Sequence, residues 1–297
     1  MLKIEGVVKQ DRLLRALTGL NQKAFESLVP TFEQQYRQSL ESESRKRAVG
    51  GGRKAQLKTI TAKLFFILFY FKCYPTFDLA GFIFGLHRSQ THYWVHKLQP
   101  VLEKALGAEM VLPERKMSSI EEFIKRYPTV KKVIIDGTER PISRPKDQDQ
   151  QKLNYSGKKK RHTRKHIAAV DETKRGLILG KAREGKVHDK RAHDEDDLIG
   201  SIPEEIPIEA DSGFLGLQKQ YDNIHLPHKK PKGGELSEIH KEENRLLSSS
   251  RVVCENALAG VKRYGAVSQI YRNRTEDFDD SLMLTAAGLW NLYLIAA

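Results

Sequence analysis

Three acids stand out by what surrounds them. Asp136 ends the run Val133-Ile134-Ile135 and precedes Gly137, while Asp211 ends Ile206-Pro207-Ile208-Glu209-Ala210 and precedes Ser212-Gly213. Glu255 lies in a long polar segment with Arg251 and Lys262. Carboxylates brought together from separate elements suit magnesium, a hard cation that takes oxygen ligands and keeps water and substrate phosphate in its shell. A pair of such ions about 4 Å apart activates a water or a 3′-hydroxyl and stabilises the leaving oxygen of an in-line displacement. On this reading Asp136 bridges both ions, Asp211 and Glu255 each complete one side, and Arg251 and Lys262 hold phosphates. Taken singly, each acid reads as an ordinary surface or capping residue. The chemistry rests on the three together.

The elements needed to position them are legible. The β-branched run ending at Asp136 reads as a buried strand, with the acid emerging at the rim of a sheet. Residues 162–170 and 177–181 read as two further strands, and 189–199 as a helix. Three strands followed by a helix open a ribonuclease-H-like sheet. The segment 206–213 repeats the pattern of apolar run, acid and glycine, with Pro207 near the strand start because it lacks an N–H. Residues 236–264 form a long helix. At 100° per residue Leu246, Val253, Ala257, Val261 and Tyr264 share one side, and Ser248, Arg251, Glu255 and Lys262 fall within about 60° on the opposite side. Asp189, after His188, reads as the cap of the helix that follows. His225 and His228 read as structural or DNA-facing rather than as ligands.

The charge is uneven. Residues 150–170 contain no acid but carry Lys152, Lys158, Lys159, Lys160, Arg161, Arg164 and Lys165. A basic hairpin beside Asp136 would neutralise phosphates, with Tyr155 available to stack on a base. The alternative is a solvated, charged sheet edge that discourages pairing with other sheets. Over the whole chain of 297 residues, 51 Lys+Arg against 38 Asp+Glu leave a net charge of +13, which favours a polyanionic partner. Two cysteines cannot build a disulfide framework or a thiolate zinc site, so a reducing compartment is expected. The apolar run 64–71 is too short to cross a bilayer, and no secretory signal opens the sequence.

Aromatics gather elsewhere, with seven of the twelve Phe between Phe65 and Phe84. Residues 57–71, 76–84 and 89–98 read as helices, the last two as a helix-turn-helix. Ala80 and Gly81 sit where the helices approach, and Gly85 suits the left-handed conformation of the sharp turn. Ser89 is the expected N-cap, and Arg88, Gln90, Thr91, His92 and Lys97 are available to DNA. A plain three-helix bundle is the alternative. Arg45, Lys46, Arg47, Arg53 and Lys54 are candidate phosphate contacts. Before them Leu14, Leu17, Leu20, Phe25, Leu28 and Phe32 imply two short amphipathic helices broken near Pro30, a packing or dimerisation appendage. Gly50-Gly51-Gly52-Arg53-Lys54 is one linker candidate, and residues 108–119 with Pro113 a second.

Together these motifs resemble the bacterial insertion-sequence transposases of the DDE class, more narrowly the insertion-sequence-five type. The resemblance is carried by DGTERPI at 136–142, YSGKKKRHTRKH at 155–166 and ADSGF at 210–214. Gly185 with His188-Asp189, the Arg251–Glu255–Lys262 spacing and the helix-turn-helix stretch 74–102 complete it. It covers roughly residues 50–295. It implies an α/β ribonuclease-H-like catalytic domain, a mixed sheet flanked by helices, preceded by an all-α helix-turn-helix domain. The implied division is a helical appendage at 1–49, a DNA-binding domain at 50–107, a linker and helix at 108–130, and the catalytic domain at 131–297.

The implied activity is hydrolysis at the ends of an insertion sequence, then attack of the freed 3′-hydroxyl on target DNA. The carboxylates of Asp136, Asp211 and Glu255 would hold two divalent ions, Mg2+ or Mn2+. Lys158, Lys159, Lys160, Arg161, Arg164, Lys165, Arg251 and Lys262 would face phosphates. Double-stranded DNA is the implied partner, with a homodimer or larger assembly on it, no membrane, and a cytoplasmic, nucleoid-associated location in a bacterium. The family signature places a tyrosine three residues before Arg251, where this chain has Ser248, so one phosphate-side contact differs. The short Asp211-to-Glu255 interval leaves no room for a large inserted β-domain. Two rivals stay open: a DNA-binding regulator that keeps the fold without the chemistry, and a nuclease that cuts without joining.

Overall fold

The computed structural model describes residues 2–41 and 55–296. The glycine-rich linker candidate and Arg45, Lys46, Arg47, Arg53 and Lys54 lie outside the described residues. The helices are α1 (Ile4–Val8), α2 (Asp11–Thr18), α3 (Gln22–Glu41), α4 (Ile60–Cys73), α5 (Phe77–Phe84), α6 (Arg88–Ala108), α7 (Ile120–Arg126), α8 (Gln148–Asn154), α9 (Asp189–Asp196), α10 (Glu238–Lys262), α11 (Gly265–Ser268) and α12 (Phe278–Ala296). The strands are β1 (Val133–Pro141), β2 (Tyr155–Ser156), β3 (Arg161–Asp171), β4 (Gly176–Leu179), β5 (Arg183–Glu184), β6 (Ile208–Glu209) and β7 (Ile224–His225).

The chain divides into a helical unit, residues 1–112 with 261–269 and 281–297, and a sheet unit, residues 113–260 with 270–280. The change of unit falls at Leu112/Pro113, inside the stretch read as a linker, while 261–269 and most of α12 group with the helices rather than with the rest of 131–297. The apolar content of α12 explains this: the helix is rich in Leu and Ala, and Asn291 Nδ2 donates to the Val111 carbonyl at 2.8 Å.

In the helical unit, α4 is apolar on all sides and is buried along nearly its whole length, as a central core helix must be. Phe84 of α5 packs edge-on against Phe66 at 5.0 Å between ring centroids and against Phe69 at 5.3 Å. α3 runs unbroken through Pro30, contrary to the expected break. Burial of Phe25, Leu28 and Phe32 outweighs the one hydrogen bond that proline removes. Likewise α6 continues past Pro100 to Ala108 rather than ending at 98.

In the sheet unit the strand order is β2-β3-β1-β6-β7, with β4 and β5 also pairing with β3. β1 is antiparallel to β3 and parallel to β6, giving the mixed, ribonuclease-H-like sheet expected from the sequence. Val133 and Ile135 enter one core with Phe123, Ile167, Ala169 and Phe214, whereas Ile134 faces Val170, Cys254 and Ala257. β1 therefore reads as a continuous apolar run because both of its faces are covered.

Candidate functional site

Period-two alternation puts Asp136 on the face of Ile134, the face that α10 covers. Parallel pairing sets Val133 opposite Ile208 and Ile134 opposite Glu209. Carrying that register two residues further brings Asp211 level with Asp136, where β6 has ended and the chain turns. Asp211 N-caps the short 3-10 turn Ser212–Phe214, its Oδ1 accepting from the Gly213 N–H at 2.7 Å. Asp136 Oδ1 accepts from the Gly137 N–H at 2.7 Å. Burial pushes the Asp136 carboxyl above the usual carboxylate range, and the neighbouring Asp211 charge adds to this. The Gly137 N–H, Arg251 and Lys158 oppose the rise. Asp136, Asp211, Arg251 and Lys158 thus form one electrostatic group.

α10 supplies the third side. Its docking face centres on Cys254, fully buried against the sheet, while Leu246 is 61% exposed. The polar stripe accordingly flanks the docking face rather than opposing it. Arg251 lies about 60° round the helix from Cys254, and Glu255 about 100° on the same side. Arg251 Nη2 comes within 3.6 Å of Asp211 Oδ2. Glu255 is exposed one turn further along. Burial, and then the Asp136 charge, raise the Cys254 thiol well above its ordinary range, so it is a packing group rather than a nucleophile. Asp136, Asp211 and Glu255 are not all within 4.8 Å of one another, a closeness that His228, His240 and Glu243 do reach.

Small residues after both aspartates have a steric cause. A Cβ on Gly137 would stand 2.8 Å from Asp189 Oδ1, and one on Gly213 would stand 2.7 Å from Asp189 Oδ2. Asp189 is not the cap of α9, which is His188, but its first residue, and it pairs with Lys165 Nζ at 2.7 Å. Lys165 also donates to the Val187 carbonyl at 2.7 Å, and Arg164 pairs with Asp279 at 3.2 Å and with Glu184 at 3.6 Å. These two cations of the basic stretch therefore serve the interior. Lys158, Lys159, Lys160 and Arg161 are exposed around the β2–β3 turn, next to Tyr155, whose ring meets His162 at 5.6 Å. Lys262 belongs to the helical unit.

The helix-turn-helix follows its own local rules. Thr76 caps α5 by accepting from the Leu79 N–H at 3.1 Å. A Cβ on Gly81 would sit 2.5 Å from the Leu86 carbonyl oxygen, and Gly85 takes φ +68° to end α5. The cap of α6 is His87 rather than Ser89, because Gln90 Oε1 accepts from the His87 N–H at 3.0 Å in a capping box. Thr91 is buried, its hydroxyl bonded to the His87 carbonyl at 3.2 Å. Of the other residues expected to be available to DNA, Arg88, Gln90 and His92 are exposed, with Gln90 engaged in the cap, and Lys97 is half-buried; Ser89, expected as the cap, is exposed. Sequence reasoning overlooked Tyr93, 52% exposed on the same helix, although its i+4 spacing from Ser89 places it on that face.

The family model described as DDE superfamily endonuclease matches residues 135–291, and that described as the helix-turn-helix of DDE superfamily endonuclease matches residues 56–108. A probable transposase for insertion sequence element IS702 from Microchaete diplosiphon is 28% identical over 284 residues, 95% of each chain. No solved structure matches the chain. Among the described residues no helix is long and apolar enough to cross a membrane.

Proposed function

Because the chain belongs to the DDE superfamily endonucleases, we propose that it is an insertion-sequence transposase, of the insertion-sequence-five type, that cuts at the ends of its element and joins them to target DNA. One observation carries this reading: the β1–β6 register aligns Asp136 with Asp211, and Arg251 from α10 closes on Asp211. The donor set fits hard divalent cations, since the acids offer oxygen alone and burial disfavours Asp136 as an uncompensated anion. Asp136, Asp211 and Glu255 would hold two ions, Mg2+ or Mn2+, which when bound supply Lewis-acid activation of the attacking and leaving oxygens.

The remaining work falls to the chain. Arg251 orients the Asp211 carboxylate and faces a phosphate. Lys158, Lys159, Lys160 and Arg161 neutralise the backbone next to the scissile position, each contact making affinity more salt-dependent. Arg88, Ser89 and His92 on α6 approach the terminal repeats from the helix-turn-helix. Joining two ends in one reaction calls for a dimer or larger assembly on DNA.

The test uses the full chain, magnesium and DNA carrying the element's terminal repeats. Asp136→Ala is expected to lower cutting by at least about 10³-fold, because ligand loss removes several kcal/mol of transition-state stabilisation. End binding should stay within a few fold. Wild-type chain that binds ends without cutting would support the regulator instead, and cutting without joining would support a simple nuclease.

A further inference from the structure

We propose that His228, His240 and Glu243 form a separate metal site for a transition-metal dication of the zinc class. One ligating atom from each lies within 4.8 Å of the others. His228 Nε2 is 2.6 Å from Glu243 Oε2, and the His228 and His240 rings stack with centroids 4.0 Å apart. His240 and Glu243 are three residues apart on α10, so they share a face. His228 comes from the chain after β7 and is clamped onto that face by its main chain. Its N–H donates to Asn244 Oδ1 at 2.8 Å, and its carbonyl accepts from Asn244 Nδ2 at 3.1 Å. The Asn244 clamp fixes the third donor beside the helix without help from an ion.

Donor chemistry selects the class of ion. Two imidazoles and one carboxylate make the three-ligand set of an open zinc site, the remaining position taken by water. Magnesium, which asks for oxygen alone, is a poor competitor for such a set. Tetrahedral ligands on zinc stand about 3.3 Å apart, a contraction that rotation of three exposed side chains supplies. His228 and Glu243 border an open cleft, which gives the ion a route in.

The setting gives the site a role. Residues 238–250 of α10 include no buried side chain, so no apolar layer holds this half of the helix in place. A bound ion would tie the β7–α10 connection to it, upstream of the turns that carry Arg251 and Glu255.

The experiment strips untagged full-length chain of metal and titrates it with zinc against a chromophoric chelator. Wild type is expected to hold one zinc that millimolar magnesium does not displace. His228→Ala and His240→Ala should each weaken it at least tenfold while far-ultraviolet circular dichroism stays unchanged. Asp136→Ala should retain it, which separates this site from the three acids. Zinc should raise the unfolding temperature of wild type but not of His240→Ala. Zinc binding that is absent in wild type, or unchanged in His228→Ala and His240→Ala, overturns the proposal and leaves the cluster a stacked and ion-paired staple.

Discussion

The two faces of β1 differ in what lies on them. One face, through Val133 and Ile135, is backed by a deep apolar layer from α7, α9, β6 and Phe214. The other begins with a small apolar patch, Ile134 with Val170, Cys254 and Ala257. It then turns to the acid Asp136 and ends in a polar network. In that network Arg140 is fully buried, lies over the Tyr271 ring at 4.5 Å and donates to the Asp279 carbonyl, while His166 meets Asp280 at 3.2 Å. The deep face fixes strand register, so the thin face is free to carry charge where register puts it. A buried carboxylate is tolerated because the opposite side of the same strand supplies the stability.

Five substitutions and a titration would break or sharpen this contrast. The largest effect is expected at Asp280, which accepts from Arg115 Nη2 at 2.5 Å and from the Ala182 N–H at 2.8 Å besides contacting His166. Asp280→Ala leaves the Arg115 guanidinium without its carboxylate and the His166 ring without its acceptor, and should cost about 4 kcal/mol in denaturant unfolding. Ile135→Ala on the deep face should cost about 3 kcal/mol, for the lost methylenes and the cavity they leave. Ile134→Ala should come nearer 2 kcal/mol, because the thinner layer over it collapses more readily. Equal losses at 134 and 135 would erase the distinction between the faces.

A pH effect follows from His166. Burial lowers its pKa, with Asp280 opposing, so the folded state keeps the ring neutral. The unfolded chain then takes up a proton first as pH falls below about 6.5, and stability is lost on acidification with a slope of at most about 1.4 kcal/mol per pH unit. Asp280, whose carboxyl is held below its ordinary range by His166 and Arg115 against burial, adds a loss of the same sign at lower pH. His166→Gln should flatten the upper part of that profile. The smallest effect is expected at Lys158. Lys158→Gln should weaken DNA binding a few fold and reduce the salt slope by about 1, as loss of one phosphate contact requires.

Much of this was legible in sequence. The β1 run, the glycines after Asp136 and Asp211, the turn at Gly81 and Gly85, and the span of α10 all follow from local propensity and periodicity. Other features were not. Pro30 and Pro100 sit inside helices because buried side chains override a local breaker. Arg164 and Lys165 look like their exposed neighbours in sequence, but β3 directs them to Asp279 and Asp189. His228, read as structural or DNA-facing, meets His240 and Glu243 only because the β7–α10 connection folds back.

The sequence by itself determined which elements form and which acids end strands, since steric and hydrogen-bonding preferences act over a few residues. The tertiary structure alone decided that Asp136 and Asp211 share a rim and that α10 turns Arg251 toward them. It likewise decided which cations stay exposed. These depend on strand register and helix rotation, which the burial of side chains far apart in sequence sets.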